Sequence, residues 1–574
     1  MNLVRVAAAQ FAAGTDVQEN AKKVLAVIDR AAGVSPALLV LPEFANHASW
    51  YLDRDHCYAV ALGLGDPLIT AVSERAKIHG FFIVLNVTLK RPGGVTTGSS
   101  ILFDRRGGIL AISDKQVLMG HENEFLKSAT SVSPVVETEI GRLGLYACMD
   151  GVIPETPRGL AVRGAQILCN SLNSFALDEA SLHVPVRAAE NKVFVVAANK
   201  VGPLIPEDQI EAVSRMVHIP RHFLYGAGES QIVAPDGTVL AKASLSGEEI
   251  IHADIDPRLA DRKARPSGLS SFASRRPELY RALAEPRVSE ERPVRDQPVR
   301  VATWQGHVRG EGAIEEFCAA LLGLDHLYDL VVLPELFFLE HMQGVTVDEA
   351  VALSSKALGA LSAALAGLKV RVIGSFVLPS APGAEFSDAV CPGPQHFGLC
   401  VGAEGVILCQ PQLHASSRFT ADLPLGNAVE VVDLEWGRLG IVVGEDAVYP
   451  EVFRLAALSG ADLIAIPGHL EERWEVELGL PERAAENRMT LAFATRPGLA
   501  GASLLADLED DFTLLTPWSE RIFDGNINAP RLHLATRGAQ LTGHVLHPAR
   551  SRNKILSGKT HVLDSRPWAI HDMG

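Results

Sequence analysis

Short, nearly unbroken apolar runs recur along the chain, among them FFIVLNV at 81–87, VFVVAAN at 193–199 and SQIVAPDG at 230–237. They are rich in β-branched residues and end at Gly, Pro or Asn, which predicts strands buried on both faces. Between such runs, NAKKVLAVIDRAA (20–32) and PLITAVSERAKIHG (67–80) repeat apolar positions at helical spacing. The alternation predicts layered α/β domains in which helices cover the sheets. ILFDRRGGIL (101–110) and QIVAPDGTVL (231–240) each set a glycine turn between extended segments, so hairpins should be mixed with parallel units.

The pattern repeats itself. VRVAAAQ (4–10) returns as VRVATWQ (299–305), LLVLPE (to Glu43) as LVVLPE (to Glu335), and RAAEN (187–191) as RAAEN (483–487). GLYACMDGVIPETPRGLAVRGA (144–165) answers GIVVGEDAVYPEVFRLAALSGA (440–461) at a constant displacement of 296 residues. The tail DPRLADRK (256–263) weakly echoes HPARSRNK (547–554), so it belongs to each repeat. Two domains of similar size are expected, 1–281 and 298–574, joined by a polar, charged linker at 282–297.

Composition narrows the function classes. With 47% hydrophobic and 21% charged residues the chain has the makings of ordinary cores, and a formal charge of −16 without a basic, aromatic-interleaved run disfavours nucleic acid. Seven cysteines at 57, 148, 169, 318, 391, 400 and 409 show neither CxxC pairs nor zinc spacing, which suits a reducing compartment. His121, His183 and His222 are not at ligand spacing, DRRGG is a turn, and the glycines of GAGES precede a strand, so no metal or organic cofactor is implied. No apolar run reaches the ~18–20 residues a membrane span needs. A soluble, cytoplasmic protein without a membrane partner is the expectation.

In the first repeat three chemically competent residues close separate strands: Glu43 after ALLVLP, Lys115 after GILAISD and Cys148 after GRLGLYA. A thiol, a carboxylate and an amine converging at one sheet edge suit acyl transfer. Each has a plainer alternative, the cysteine as a small buried hydrophobe, the glutamate as a helix cap and the lysine as surface charge. Met149, His47, Trp50, Asn170 and Asn173 flank these positions and are expected around the substrate. Arg221, in HIPRHFLYG, is a candidate anion contact.

Taken in order, LPE to Glu43, SDKQVL around Lys115, CMDGVIPETPRGLAVRGA from Cys148, RAAENKVFVVAANKVG, GAGESQIVAPDGTVL and RRPELY resemble the nitrilase superfamily of carbon–nitrogen hydrolases over nearly all of residues 4–280. The resemblance implies an α-β-β-α sandwich with Cys148 as nucleophile, Glu43 as general base, and Lys115 as oxyanion donor beside the backbone N–H of Met149. It also implies a second carboxylate after the lysine, for which HENEF offers Glu122, with Glu124 as runner-up. Asp150, Arg158, Arg187, Glu190 and Asn191 are framework on this view. A functional Cys148 would carry a lowered pKa and react with iodoacetamide faster than the other six thiols.

The second repeat keeps Glu335 but sets Gly444 at the cysteine and Gln410 at the lysine, so it is expected to be a pseudoenzyme that packs on the first as an intramolecular pseudo-dimer. Cys409, beside Gln410, is a poor candidate for a migrated nucleophile because it is not at the strand-end elbow. Further homo-oligomerisation is left open. Within the family, a Cys-Trp-Glu run marks nitrilases and an aromatic-Asp pair the amidases and carbamoylases. Met149-Asp150 points to the amide side, so the expected substrate is a small amide or N-carbamoyl compound, with water as second substrate. A nitrile is the alternative substrate, and a non-catalytic scaffold or metabolite-binding protein is the alternative of another class.

Overall fold

A computed structural model describes residues 3–288, 292–293, 295–382, 393–496, 498, 500–536, 538 and 540–570. Cys391 and residues 289–291 and 294 of the expected linker lie outside the described residues.

The first half contributes twelve strands: β1 (Val4–Gln10), β2 (Leu38–Val40), β3 (Phe82–Arg91), β4 (Val95–Phe103), β5 (Ile109–Asp114), β6 (Val135–Thr138), β7 (Gly141–Ala147), β8 (Ile167–Ser171), β9 (Phe194–Ala198), β10 (Gln231–Val233), β11 (Val239–Lys242) and β12 (Glu249–Ile255). They form two six-stranded sheets, ordered β12-β1-β2-β3-β4-β5 and β11-β10-β9-β8-β7-β6. β1, β2 and β3 run parallel, as do β7, β8 and β9, while the outer strands add antiparallel, so both sheets are mixed as the hairpin turns foretell. Val6, Val40 and Val84 of one sheet pack against Leu145, Ile167 and Val195 of the other. On the outer face of the first sheet, helices Val17–Ala31 and Pro67–His79 bury Val24, Ile28, Ile69 and Val72, completing an α-β-β-α sandwich. Asp16 starts the first of these helices by accepting the N–H groups of Gln18 and Glu19.

The second half repeats this plan with β13 (Val299–Trp304), β14 (Leu330–Val332), β15 (Arg371–Leu378), β16 (Gln395–Gly402), β17 (Gly405–Pro411), β18 (Val431–Leu434), β19 (Gly437–Ile441), β20 (Leu463–Pro467), β21 (Thr490–Ala494), β22 (Leu504–Asp507), β23 (Arg531–Leu534) and β24 (Leu541–Leu546). Its sheets are ordered β17-β16-β15-β14-β13-β24 and β18-β19-β20-β21-β22-β23, position for position the order of the first pair. The chain is a tandem of α-β-β-α sandwiches. No helix among the described residues is long and apolar enough to cross a membrane.

Register corrects one correspondence. Lys115 N–H donates to Gly98 O and Lys115 O accepts from Ala129; in the second half Gln412 N–H donates to His396 O and Gln412 O accepts from Gly426. Asp150 accepts the N–H groups of Gln116 and Val117, and Asp446 those of Leu413 and His414. Gln412, not Gln410, therefore stands where Lys115 does. The alternative looked right only because two glutamines flank one proline and the intervening loops differ in length.

The halves meet through charged, buried helices related by a pseudo-two-fold axis. Arg158 Nε lies 2.9 Å from Glu451 Oε1, and its mate Arg454 Nε 2.9 Å from Glu155 Oε1. Arg187 Nη2 reaches Glu482 at 2.6 Å and Glu486 at 2.7 Å, while its mate Arg483 pairs with Glu190. This is an intramolecular pseudo-dimer. The beginning of the expected linker is held in this contact rather than lying loose, since Leu283 is buried against Leu455 and Leu458 and Tyr280 bonds His414 Nε2 at 2.7 Å. Arg292 then reaches Asp462 at 3.2 Å.

Removing Arg187 would leave Glu482 to His183 and Glu486 to Arg483, and taking one partner from such a buried charge cluster typically costs about 3–5 kcal/mol. Arg187→Ala is expected to lower the urea midpoint of the chain accordingly. A shift worth less than ~1 kcal/mol, the scale of a surface ion pair, would show that the lattice contributes little.

Candidate active site

Three strand ends deliver the polar side chains. Glu43 follows β2, and its N–H donates to Leu172 O at 3.1 Å, tying one sheet to the other. The chain then kinks at Phe44, whose φ of 50° lies in the left-handed region and whose N–H is held by Asn86 Oδ1 at 3.0 Å. Lys115 directly follows β5. Cys148 follows β7 at φ 49° and ψ −107°, a strained elbow that stands the side chain off the strand end. Its N–H donates to Asn170 Oδ1 at 3.1 Å, and Asp150 Oδ2 accepts from Ala147 N–H at 3.2 Å. Asp150 thus clamps the segment after Lys115 to the elbow. Met149 opens the turn Met149–Val152, so its N–H is among those a helix start leaves without an internal partner.

Lys115 Nζ sits 2.9 Å from Glu43 Oε1 and 2.9 Å from Glu122 Oε2, with all three side chains buried. Glu122 Oε2 also accepts the N–H of Met119 at 2.9 Å. Glu124 faces outward to Lys559 at 3.2 Å. Burial works against the ammonium, but the carboxylates of Glu122 and Glu43 hold Lys115 well above its ordinary value. Burial pushes Glu43 up to about 7, with Lys115 opposing.

The thiol departs from expectation. Burial first, and then the neighbouring Glu43 charge, push Cys148 well above the usual thiol range, with Lys115 pulling the other way. One ammonium shared between two carboxylates cannot also hold a thiolate in a closed site. Cys148 therefore rests as a thiol beside a carboxyl group poised near neutrality.

The other expected residues divide. Met149 and Asn173 line a cavity of about 70 Å³ together with Cys148. Asn170 sits beneath the elbow instead, positioning the Cys148 backbone. His47 is buried, its Nδ1 on Ala48 O at 2.6 Å and its ring stacked on Tyr51, but it is not on that cavity wall. Trp50 is only half-buried and likewise off the wall. Arg221 is exposed and pairs with Glu211 at 3.3 Å, so it is no anion contact of this site.

Two buried charges were not anticipated. Lys200, within electrostatic reach of Glu43 and Cys148, has no hydrogen-bond partner for Nζ among the described residues, and burial pulls it down to about 8. Glu179 lines the cavity beside Cys148. The repeat held a signal for both, because a cation returns at Arg496 and a glutamate at Glu475 at the same displacement of 296 residues.

In the second half the elbow survives at Gly444, φ 53°. A Cβ there would lie 2.8 Å from Glu335 Cδ, so the glutamate has moved onto the ground a thiol would need. Arg418 Nε approaches Glu335 at 3.4 Å, and Gln412 turns to His396 Nδ1 at 2.8 Å.

A sandwich of this topology with thiol, carboxylate and ammonium at its strand ends is the build of a carbon–nitrogen hydrolase. The family model described as carbon-nitrogen hydrolase matches residues 5–265. A nitrilase of Pyrococcus abyssi is 27% identical over 263 residues, 46% of this chain and 93% of that protein. A protein of Pseudomonas protegens described as hydrolase in pqqF 5' region is 30% identical over 252 residues, 43% of this chain and 81% of its own length. Deaminated glutathione amidase of Mus musculus is 27% identical over 303 residues, 49% of this chain and 86% of the amidase. The chain belongs to the carbon–nitrogen hydrolase family and is an enzyme of that kind.

The raised thiol has a measurable consequence. At neutral pH iodoacetamide should alkylate Cys148 no faster than an ordinary exposed thiol, and Glu43→Gln, which deletes the adjacent negative charge, should raise the rate. A fast wild-type reaction already saturated below pH ~7 would mean that the thiolate is preformed.

Proposed function

We propose that the front half hydrolyses the C–N bond of a small amide or N-carbamoyl compound through a thioester acyl-enzyme on Cys148. The supporting observation is the buried Lys115, ion-paired with both Glu43 and Glu122 beside the Cys148 elbow. Glu43 takes the thiol proton as sulfur bonds to the carbonyl carbon. Lys115 Nζ and the Met149 N–H receive the charge that develops on the carbonyl oxygen. As the intermediate collapses, the C–N bond breaks and the nitrogen leaves with the proton held by Glu43. Water then attacks the thioester, gives a proton to Glu43, and releases the acid while the thiol is restored. Glu122 keeps Lys115 charged and in place.

The amide side is favoured over a nitrile by the Met149-Asp150 pair, whose aspartate here latches the elbow. We take residues 1–281 as the hydrolase domain, 282–297 as the connection and 298–574 as a domain without hydrolytic chemistry. The last assignment is supported by Gly444 and by Glu335 lying over it. The silent domain serves as the packing partner of the active one.

A screen of small amides, carbamoyl compounds and nitriles for ammonia release, with Cys148→Ala as blank, tests the proposal. Cys148-dependent release is expected from amides or carbamoyl compounds, and activity confined to nitriles would move the enzyme to the nitrilase side. Because Glu43 must be ionised to accept the thiol proton and is raised to about 7, kcat/KM should fall roughly tenfold per pH unit below that value. A profile flat down to pH ~5 would exclude Glu43 as the base.

A further inference from the structure

Each half carries a short π-helical turn at the same place in its fold, Glu179–His183 in front and Glu475–Gly479 behind, and each turn opens on a glutamate. In the rear half that glutamate is saturated. Arg265, reaching across from the front half, donates from Nε to Glu475 Oε1 at 2.8 Å and from Nη2 to Oε2 at 3.1 Å, while its Nη1 reaches Glu445 at 3.0 Å. The front glutamate is 3% exposed, and its Oε1 has no hydrogen-bond partner among the described residues. His183 lies within electrostatic reach of it but gives its ring nitrogens to Glu482 at 2.8 Å and Asn528 at 2.9 Å.

The difference traces to one pair of positions. Lys263 Nζ donates to the carbonyls of Asn191 and Lys192, and Lys554 Nζ to those of Asn487 and Arg488, which makes the two lysines mates in the repeated tail. Two residues beyond each stand Arg265 and Leu556. Leu556 crosses to the front half and lines the Cys148 cavity with Leu514 and Ile527, also from the rear half, and with Glu179. The rear pocket holds an internal guanidinium on its glutamate. The front pocket has an apolar wall in that place and leaves its glutamate facing the nucleophile's cavity.

We propose that Glu179 is the specificity carboxylate of the front site and receives an ammonium or guanidinium group at the far end of a short amide or carbamoyl substrate whose carbonyl sits at Cys148. Leu514, Ile527 and Leu556 enclose the connecting methylenes, so the silent half helps select the substrate. Arg265 in the rear pocket shows the chemistry this frame accepts. The cavity of about 70 Å³ has room for about five water-sized groups at ~10–15 Å³ each, which limits the substrate to a short chain. This inference rests on the hydrolase function proposed above.

Matched amides that exchange a terminal ammonium for methyl separate the two ideas: 3-aminopropanamide against butanamide, and 4-aminobutanamide against pentanamide. Wild type should favour the ammonium member by roughly tenfold or more in kcat/KM, the scale of one charge-assisted hydrogen bond. Glu179→Gln should bring the ratio near one, mainly through KM. Leu556→Arg, which supplies the internal guanidinium, should cut kcat/KM for the ammonium substrates at least tenfold. A ratio within one protein is insensitive to general loss of folded enzyme.

A wild-type ratio at or below one, or a ratio unchanged in Glu179→Gln, overturns the role of Glu179 while Cys148-dependent cleavage of butanamide leaves the hydrolase function standing. If neither member releases ammonia in a Cys148-dependent way, the hydrolase function is decided by the wider panel of amides, carbamoyl compounds and nitriles. Calorimetric binding of 3-aminopropanamide and butanamide to the wild-type chain then decides Glu179 alone, equal affinities overturning it and tighter binding of the ammonium compound supporting it.

Discussion

The structure hinges on arginines that each half buries in the other. Arg158, Arg187, Arg454 and Arg483 are all nearly or wholly removed from water, and each meets a carboxylate of the opposite half. Ion pairs so deeply placed add little net stability over a well-packed apolar contact, but they tolerate few alternative registers because every misplacement strands a charge. Arg187 also donates to the carbonyls of Gly151 and Val152 at 2.6 and 3.1 Å, the turn that begins at the Cys148 elbow. The lattice that joins the halves therefore braces the backbone that follows Cys148.

The same scarcity of solvent governs the site. Lys115 is the ammonium that two buried carboxylates share, and a proton on Cys148 keeps a third anion out of the set. Burial places that proton on Cys148 at rest and brings Glu43 near neutrality. A preformed thiolate would be a further buried anion beside Glu43, which is costly. On the mechanism proposed above, holding the proton on sulfur until an electrophile arrives, with a base matched to neutral pH, lets the charge appear only where Lys115 can meet it.

Much of this was legible in the residues. The strands, the helices over them and the mixed sheets follow from FFIVLNV, VFVVAAN, NAKKVLAVIDRAA and the glycine turns, because period and turn chemistry are local properties. Glu43, Lys115 and Cys148 could be singled out because each directly follows a run that reads as a buried strand. Register was less legible. Gln410 and Gln412 are equivalent to the eye, and only the hydrogen bonds of β16 and β17 distinguish them. The thiol's high pKa was invisible, since it arises from burial and the summed field of residues scattered from Glu43 to Glu179. Lys200 and Glu179 left a trace only in the repeat, through Arg496 and Glu475, and a sequence does not say whether a charged side chain finds a partner.

The two pockets also differ in how their buried charges are paired. In the rear half Glu335, Glu445, Glu471 and Glu475 are drawn together around Arg418 and Arg265, with Glu335 lying over Gly444. These carboxylates are joined in an ion-pair cluster, although Glu471 also lines a cavity of about 280 Å³. The front half leaves the Glu43 oxygens, Lys200 Nζ and Glu179 Oε1 short of hydrogen-bond partners among the described residues, and the rear half leaves Glu335 Oε1 so. Since Arg265 and Leu556 hold mate positions on tails that cross the same pseudo-axis, one chain carries the filled and the unfilled form of a single pocket. Side-chain identity at that crossing, rather than any difference in the frame, separates them.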